Sequence, residues 1–161
     1  MRYRDKADLF MDHLIAAVKD EAAENRLLAV GVIRGLGDKA AKAAPALIEA
    51  ARDSDVRVRR GAIRAFESLK TPPKEMIPAL EKCLQDENIG IRIAAAEALG
   101  RLARSYPQEA AKALQDALES EKQPQVRARI ESILKKQAES PPDKESAARD
   151  KNVQDVTTQP R

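Results

Sequence analysis

Four arginines recur at nearly even spacing along the chain, and they are the first residues whose type could bind an anion. They lie 33, 33 and 35 residues apart, and an acidic residue stands six positions before each one. The arginines are Arg26, Arg59, Arg92 and Arg127, and the acids are Asp20, Asp53, Asp86 and Glu121. A lone arginine among apolar residues could hold an anionic substrate in an active site. An arginine present once in every repeat indicates a structural role instead, because structural ion pairs mimic functional sites.

The chain has one cysteine and one histidine, so few catalytic or metal sites can be built from it. An internal disulfide needs a second cysteine, and the usual zinc sites need more ligands. Cys83 has no identifiable base beside it, and we interpret it as a small helix-packing residue. His13 is expected on the surface. We predict no catalytic residue, no metal and no cofactor.

Helices must position these residues. Strong helix formers dominate the composition, aromatic residues make up only 2%, and β-branched residues never alternate over a useful length. The N-terminus carries scattered charges unlike a signal peptide, and no apolar stretch approaches the length of a membrane span. We therefore expect an all-α cytoplasmic protein.

Two helical segments alternate within each period, here named A and B. An A segment contains the repeated arginine, as in IGIRIAAAEALGRL (89–102), and a B segment ends at the repeated acid, as in 45–53 and 78–86. Apolar residues in the A segments have the i, i+4, i+7, i+8 spacing of one helix face. In the first A segment they are Ala29, Val32, Ile33 and Leu36. Because no single pair can bury its apolar face alone, the pairs must stack.

Polar turns separate the segments and supply helix caps. Asp55 and Asn88, in the turns 53–55 and 86–88, are placed to cap the A helices that follow. Thr71 and Ser105 each stand near a proline and are expected to cap the B helices.

The pattern Val/Ile-Arg-x-x-Ala-x-x-Ala-Leu-Gly-x-Leu, followed by Ala-x-Pro-Ala-Leu and an Asp-rich turn, resembles HEAT repeats of the short, phycobilin-lyase-like bacterial type. The resemblance covers about residues 7–137. It implies a right-handed α-solenoid of about four layers of antiparallel helix pairs. It also implies that the repeated acids and arginines form a ladder between neighbouring repeats, with Asp86 as the expected partner of Arg92. We assign residues 1–137 to this domain and expect 138–161, rich in Pro, Ser and charge, to be a disordered tail.

Two enzyme classes with HEAT-like folds fit the residues poorly. The di-iron hydroxylases hold iron with repeated His-Glu pairs, whereas the only histidine here is followed by leucine. The HEAT-like DNA glycosylases depend on aromatic residues and a basic concave surface, and this chain has no tryptophan. A bilin-lyase-like or other enzyme-accessory role stays open by resemblance alone.

Charge is distributed unevenly between the segments. The A segments with their turns carry +11, and the rest of the chain carries −8. In HEAT arrays the A helices form the outer convex layer and the B helices line the concave one, so we expect a basic outer layer and a mildly acidic inner layer. A nucleic-acid groove would need the opposite arrangement. Nucleic-acid binding through the convex residues Arg57, Arg60 and Arg64 remains an alternative.

The leading hypothesis is a non-catalytic scaffold that binds another protein through its concave B-helix face. The B positions that point away from the stack form a mixed polar surface suited to a basic or polar segment. They are Lys42, Glu49, Arg52, Glu75, Lys82, Gln85, Glu109, Asp116 and Glu119. No membrane partner is expected. Phe10 and Met11 in the first helix are a second candidate docking surface, an apolar end.

Overall fold

The computed structural model describes residues 3–139, with side chains from residue 8 onward, and contains eight α-helices and one 3₁₀ segment. The helices are α1 (Tyr3–Ala17), α2 (Ala23–Leu36), α3 (Ala44–Ala50), α4 (Val56–Phe66), α5 (Met76–Cys83), α6 (Ile89–Leu102), α7 (Pro107–Ser120) and α8 (Pro124–Glu139). The 3₁₀ segment, Gly37–Ala43, leads directly into α3. No strand occurs within residues 3–139, which confirms the all-α prediction.

The helices form two layers that follow chain order. In the A layer, α2, α4, α6 and α8 pack side by side. In the B layer, α1, the 3₁₀ segment with α3, α5 and α7 do the same. The two layers also pack against each other, so the repeats form the predicted α-solenoid.

The core lies between the layers and is built from aliphatic side chains and alanines. The largest fully buried side chains include Ile33, Leu47, Ile63, Met76, Leu80, Ile91, Leu99, Leu114 and Ile130. Fully buried alanines such as Ala62, Ala95 and Ala110 lie among them. Because alanine adds little bulk, these positions let neighbouring helix backbones approach closely.

Glycines mark the closest approaches between A helices. A Cβ added at Gly61 in α4 would lie 3.1 Å from Cγ1 of Val30 in α2. One added at Gly100 in α6 would lie 2.8 Å from Cγ2 of Ile133 in α8, a distance that real Cβ atoms essentially never show. Gly31, by contrast, faces open space, with nothing within 4 Å of an added Cβ.

The prediction that Val32 is a core residue was wrong. Its side chain is 42% exposed, whereas its neighbour Val30 is fully buried. The residue equivalent to Val32 in the next repeat is Ala65, which is buried in α4. Helix α4 packs on α2. Within the described residues no A helix precedes α2, so the equivalent face of α2 has no neighbour. Leu28, the counterpart of Gly61 in the same way, is 68% exposed for the same reason.

The A helices α4 and α6 are capped as predicted, but the B helices α5 and α7 are not. Oδ1 of Asp55 accepts a hydrogen bond from the amide of Arg57 at 2.7 Å. Oδ1 of Asn88 accepts from the amides of Gly90 and Ile91. The N-cap residues of α5 and α7 are Glu75 and Tyr106, and neither side chain makes a capping hydrogen bond. The proline at the start of α7 has no amide hydrogen to satisfy, which reduces the need for a cap there.

Helix α8 continues through Ala138 to Glu139, both good helix formers, and so ends two residues after the predicted domain boundary at residue 137. The division into a repeat domain and a tail stays a prediction. The rest of the predicted tail, 140–161, lies outside the described residues. None of the described helices is long and apolar enough to cross a lipid bilayer.

Candidate functional site

Three of the repeated arginines form ion pairs with an acid in the following repeat. Nε and Nη2 of Arg26 donate to the two carboxylate oxygens of Asp53 at 2.6 and 2.7 Å. Arg92 donates in the same way to Glu121, at 2.7 and 3.4 Å. These two-point contacts are the strong geometry for arginine and a carboxylate.

The middle pair, Arg59 and Asp86, has the same arrangement. Nη2 of Arg59 donates to Oδ1 at 3.1 Å, and Nε lies 2.8 Å from Oδ2. The Nε–H does not point along a hydrogen-bond direction, so that contact is an ion pair only. Both side chains are nearly buried, with 12% and 11% of their surface exposed.

Each of the four arginines also holds the turn that precedes its own helix. Nη1 donates to the backbone carbonyl oxygen of the acid six residues earlier: Arg26 to Asp20, Arg59 to Asp53, Arg92 to Asp86, and Arg127 to Glu121. The acids Asp53, Asp86 and Glu121 in turn accept the amide two residues later, each at 2.8 Å. One arginine therefore fixes a turn and joins it to the next repeat. We call these junctions between repeats the seams.

The predicted pairing of Arg92 with Asp86 was wrong. Arg92 contacts Asp86 only at its backbone carbonyl oxygen, and its carboxylate partner is Glu121 in the next repeat. The acid six residues earlier is already engaged by the arginine of the repeat before it. At the two ends this forward pairing has no counterpart within the described residues. Nη1 of Arg127 donates to the carbonyl oxygen of Leu118, and the carboxylate of Asp20 accepts the amide of Ala22.

Burial and hydrogen bonding shift the pKa of the seam carboxylates Asp53 and Glu121 in opposite directions. Burial alone would raise the pKa of Asp53, but hydrogen bonds from Arg26 and the amide of Asp55 outweigh it and leave the pKa below its usual value. The same balance lowers the pKa of Glu121, where burial is outweighed by the amide of Gln123 and the guanidinium of Arg92, which favour the charged form.

A cleft lies on the B layer between α5 and α7, and we call it the B cleft. Its volume is about 710 Å³. The floor is apolar, and its residues are Ile77, Pro78, Leu84, Ala113 and Ala117. The walls are polar, and their residues are Lys74, Glu75, Glu81, Gln85, Glu109, Lys112, Asp116 and Ser120. An apolar floor with acidic walls suits a ligand that has both apolar and cationic groups.

Glu109 is the most constrained acid in the B cleft. It forms an ion pair with Lys74, and this hydrogen bond is the main reason why its pKa lies below the usual value. Its other oxygen, Oε2, is buried and has no hydrogen-bond partner among the described residues. A buried carboxylate oxygen without a donor is costly, and this atom is closed off from the open space of the cleft.

Four of the nine predicted binding residues line the B cleft: Glu75, Gln85, Glu109 and Asp116. The other five lie on the described surface but do not line it. Lys42 pairs with Asp12, Glu49 pairs with Lys19, and Arg52, Lys82 and Glu119 are exposed elsewhere.

Sequence reasoning missed most of the B cleft floor and several wall residues, among them Lys74, Glu81 and Lys112. The signal was present, because Lys74, Ile77, Glu81 and Leu84 have i, i+3, i+7, i+10 spacing. The positions predicted to form the binding surface on α5 are offset by about one residue from those that line the cleft.

A second groove lies on the opposite layer, between α2 and α4, with a volume of about 420 Å³. We call it the A groove. Its lining residues are Leu27, Gly31, Arg34, Val56, Arg57, Arg60, Gly61, Arg64 and Asn88. Hydrogen bonds from Arg57 lower the pKa of Asp55 to about 2, so this pair at one end of the groove stays charged at neutral pH.

Cys83 and His13 lie away from both depressions. The thiol of Cys83 is buried and approaches the carbonyl oxygen of Ala51 at 3.4 Å, and burial raises its pKa to about 11. This thiol is therefore protonated at neutral pH and has a packing role.

His13 is exposed on α1, and Met11 is buried while Phe10 is 52% exposed. Among residues 3–139, no group of three His, Cys, Asp or Glu side chains is placed to hold a metal ion.

Comparison with known proteins identifies the repeat. The family model described as HEAT repeats matches residues 11–74 and again 45–135. These two matches overlap and together include the A and B helices, the seam pairs, the B cleft and the A groove. No curated protein matches the sequence.

Proposed function

Because the chain belongs to the HEAT-repeat family, we propose that it is a non-catalytic scaffold that binds a segment of a partner protein in the B cleft. HEAT repeats generally serve as protein-interaction scaffolds. The observation that carries the proposal is the combination of an open apolar floor and acidic walls in the B cleft. In this scheme the A helices and seam pairs form a rigid frame for the cleft.

The chemistry of the B cleft specifies the kind of segment it would hold. Of the floor residues, exposed Pro78 and half-buried Ala117 offer apolar surface, while Glu75, Glu81 and Asp116 offer negative charge. A partner segment with an apolar side chain between lysines or arginines would satisfy both. Helix α5 has eight residues, so it is about 12 Å long, and it would lie alongside about four residues of an extended chain.

The Lys74–Glu109 ion pair holds the carboxylate of Glu109 in place before a partner binds, which would lower the ordering cost of association.

Peptide display against the intact protein tests this proposal. We expect the selected peptides to be enriched in apolar residues flanked by Lys or Arg. A variant with Glu75→Lys, Glu81→Lys and Asp116→Lys should bind them at least about tenfold more weakly, because three attractive charges become repulsive. Ala117→Phe, which fills the floor without changing charge, should also weaken binding.

The matched control is Glu21→Lys, Glu87→Lys and Glu139→Lys, which makes the same change in net charge at exposed acids outside the B cleft. Circular dichroism and thermal unfolding establish that each variant is folded. The proposal is overturned if the selected peptides bind the cleft variant as tightly as the wild type, or if the control loses as much affinity as the cleft variant.

A further inference from the structure

The A groove contains three arginines that form no ion pair with an acid among residues 8–139: Arg34, Arg60 and Arg64. Arg57, at the other end of the groove, is neutralised by Asp55 at 2.6 Å and Glu24 at 3.1 Å. The groove therefore has a neutral end and a strongly positive end. Glu67 acts on Arg64 only at longer range, so no ion pair offsets the mutual repulsion of the three arginines, and a bound anion would relieve it.

The arginines at positions 60 and 64 of the A groove are not repeated in the next A helix. The counterparts of Arg60 and Arg64 in the next repeat are Ile93 and Glu97 in α6. Two arginines farther along the layer are paired, Arg101 with Glu67 at 3.0 Å and Arg129 with Glu97 at 2.6 Å. The arginines of the α2–α4 groove are thus a local feature and not a property of the repeat.

The A groove has room for a chain beside its arginines. Gly31 and Gly61 contribute no side chains, and the space outside Gly31 is open. Gly90, at the start of α6, leaves space for the guanidinium of Arg60, whose Nη2 lies 2.5 Å from the point where a Cβ would stand. Leu27 and Val56 add apolar surface at half-buried positions.

The size of the patch favours an acidic peptide over a nucleic acid. Arg60 and Arg64 are four residues apart in a helix, so their Cα atoms are separated by about 6 Å along its axis. Two cations at this spacing match two neighbouring carboxylates, and Arg34 lines the same groove. Nucleic-acid affinity instead grows with the number of phosphates neutralised along the backbone, and the counterparts Ile93 and Glu97 in α6 offer no continuation.

We propose that the A groove binds an acidic segment of a protein, with two or three closely spaced Glu or Asp side chains on Arg34, Arg60 and Arg64. An apolar residue of the segment would contact Leu27 and the open surface at Gly31. This site lies on the opposite layer from the B cleft and has the opposite charge preference. One molecule could therefore hold a basic segment on one layer and an acidic segment on the other.

Fluorescence anisotropy with a short labelled peptide of repeated Glu-Glu-Leu tests the proposal. The wild type should bind this peptide and not its Gln-Gln-Leu counterpart, and added salt should weaken binding because the groove is exposed. The variant Arg34→Glu, Arg60→Glu and Arg64→Glu should lose about tenfold or more in affinity. Gly31→Leu, which fills the groove and leaves the charge unchanged, should lose affinity as well.

The control variant is Lys39→Glu, Arg104→Glu and Lys122→Glu, which makes the same charge change at exposed positions outside the A groove. Retained binding by this control supports a defined site. An equal loss in both triple variants, or no binding by the wild type at low salt, overturns it. A single-stranded oligonucleotide that binds more tightly than the peptide and depends on the same three arginines would assign the groove to nucleic acid instead.

Discussion

Arg59 and Arg60 are consecutive in α4, but they lie in two different regions of the molecule. Arg59 is in a seam between repeats, nearly buried and paired with Asp86. Arg60 is in the exposed A groove without an acidic partner among the described residues. Arg59 has a counterpart in every repeat, whereas the equivalents of Arg60 in the repeats before and after it are Leu27 and Ile93. The repeated residues hold the array together, and the unrepeated ones distinguish one surface from another.

Removing a seam carboxylate should have the largest effect on stability. Asp86→Ala strands the nearly buried guanidinium of Arg59 and leaves the amide of Asn88 without its acceptor. We expect a loss of about 3 kcal/mol in the free energy of unfolding, measured by urea denaturation. Asp12→Ala is the control, because it removes the exposed partner of Lys42 and should cost about 0.5 kcal/mol. Equal losses of stability in the two variants would mean that a seam ion pair contributes no more than an exposed one.

Acid should weaken the seams for the same reason. The pKa values of Asp53 and Glu121 lie below their ordinary 3.8 and 4.5, so the unfolded state binds more protons in this range. The seam contribution is complete above those ordinary values and is lost as the pH falls through the lower, folded-state pKa values. We expect a decreasing unfolding temperature below about pH 4.5. Asp53→Asn should be less stable at neutral pH and should show a flatter acid dependence; an unchanged acid dependence would contradict this account.

An added methyl group should change stability differently at a glycine packed between repeats and at a glycine on the open surface. Gly100→Ala places a Cβ 2.8 Å from Ile133, so α6 and α8 must move apart. We expect a net loss of about 1 kcal/mol, after the helix-forming gain of alanine is subtracted. Guanidinium denaturation of the pure variant measures it, and a stabilised variant would show that the seam yields easily.

The same change on the open surface should have the opposite sign and the smallest effect. Gly31 lies inside α2 with open space around it, so Gly31→Ala restricts the unfolded chain without a clash. We expect a gain of up to about 1 kcal/mol in the same denaturation experiment. A destabilised Gly31→Ala would mean that this face is packed against something in solution.

The regular spacing of the repeated residues was enough to predict the helix pairs, the stacking and the caps Asp55 and Asn88. It did not determine which acid each arginine binds. Asp86 and Glu121 occupy equivalent positions in successive repeats, and the offset between stacked repeats brings Glu121 to the side chain of Arg92. Val32 was misplaced because a repeat pattern assumes a neighbour on both sides. The B cleft depends on the rotation of α5 and α7 about their axes, and a difference of one residue moved Lys82 outside it and Glu81 inside.

Arg26, Arg59 and Arg92 each pair with an acid in the following repeat and not in the preceding one, so the array has a direction. The stretch from Ser54 to Asp86 is one repeat long and contains one complete pair, with Arg59 as donor and Asp86 as acceptor. Tandem duplication of that stretch would insert a layer whose internal pair is already present and whose borders repeat existing ones. The pairing accepts a small change in length, because Arg92 and Glu121 are 29 residues apart whereas the other two pairs are 27 residues apart. The two ends of the array are therefore distinguishable, and the array can lengthen by whole repeats in one orientation.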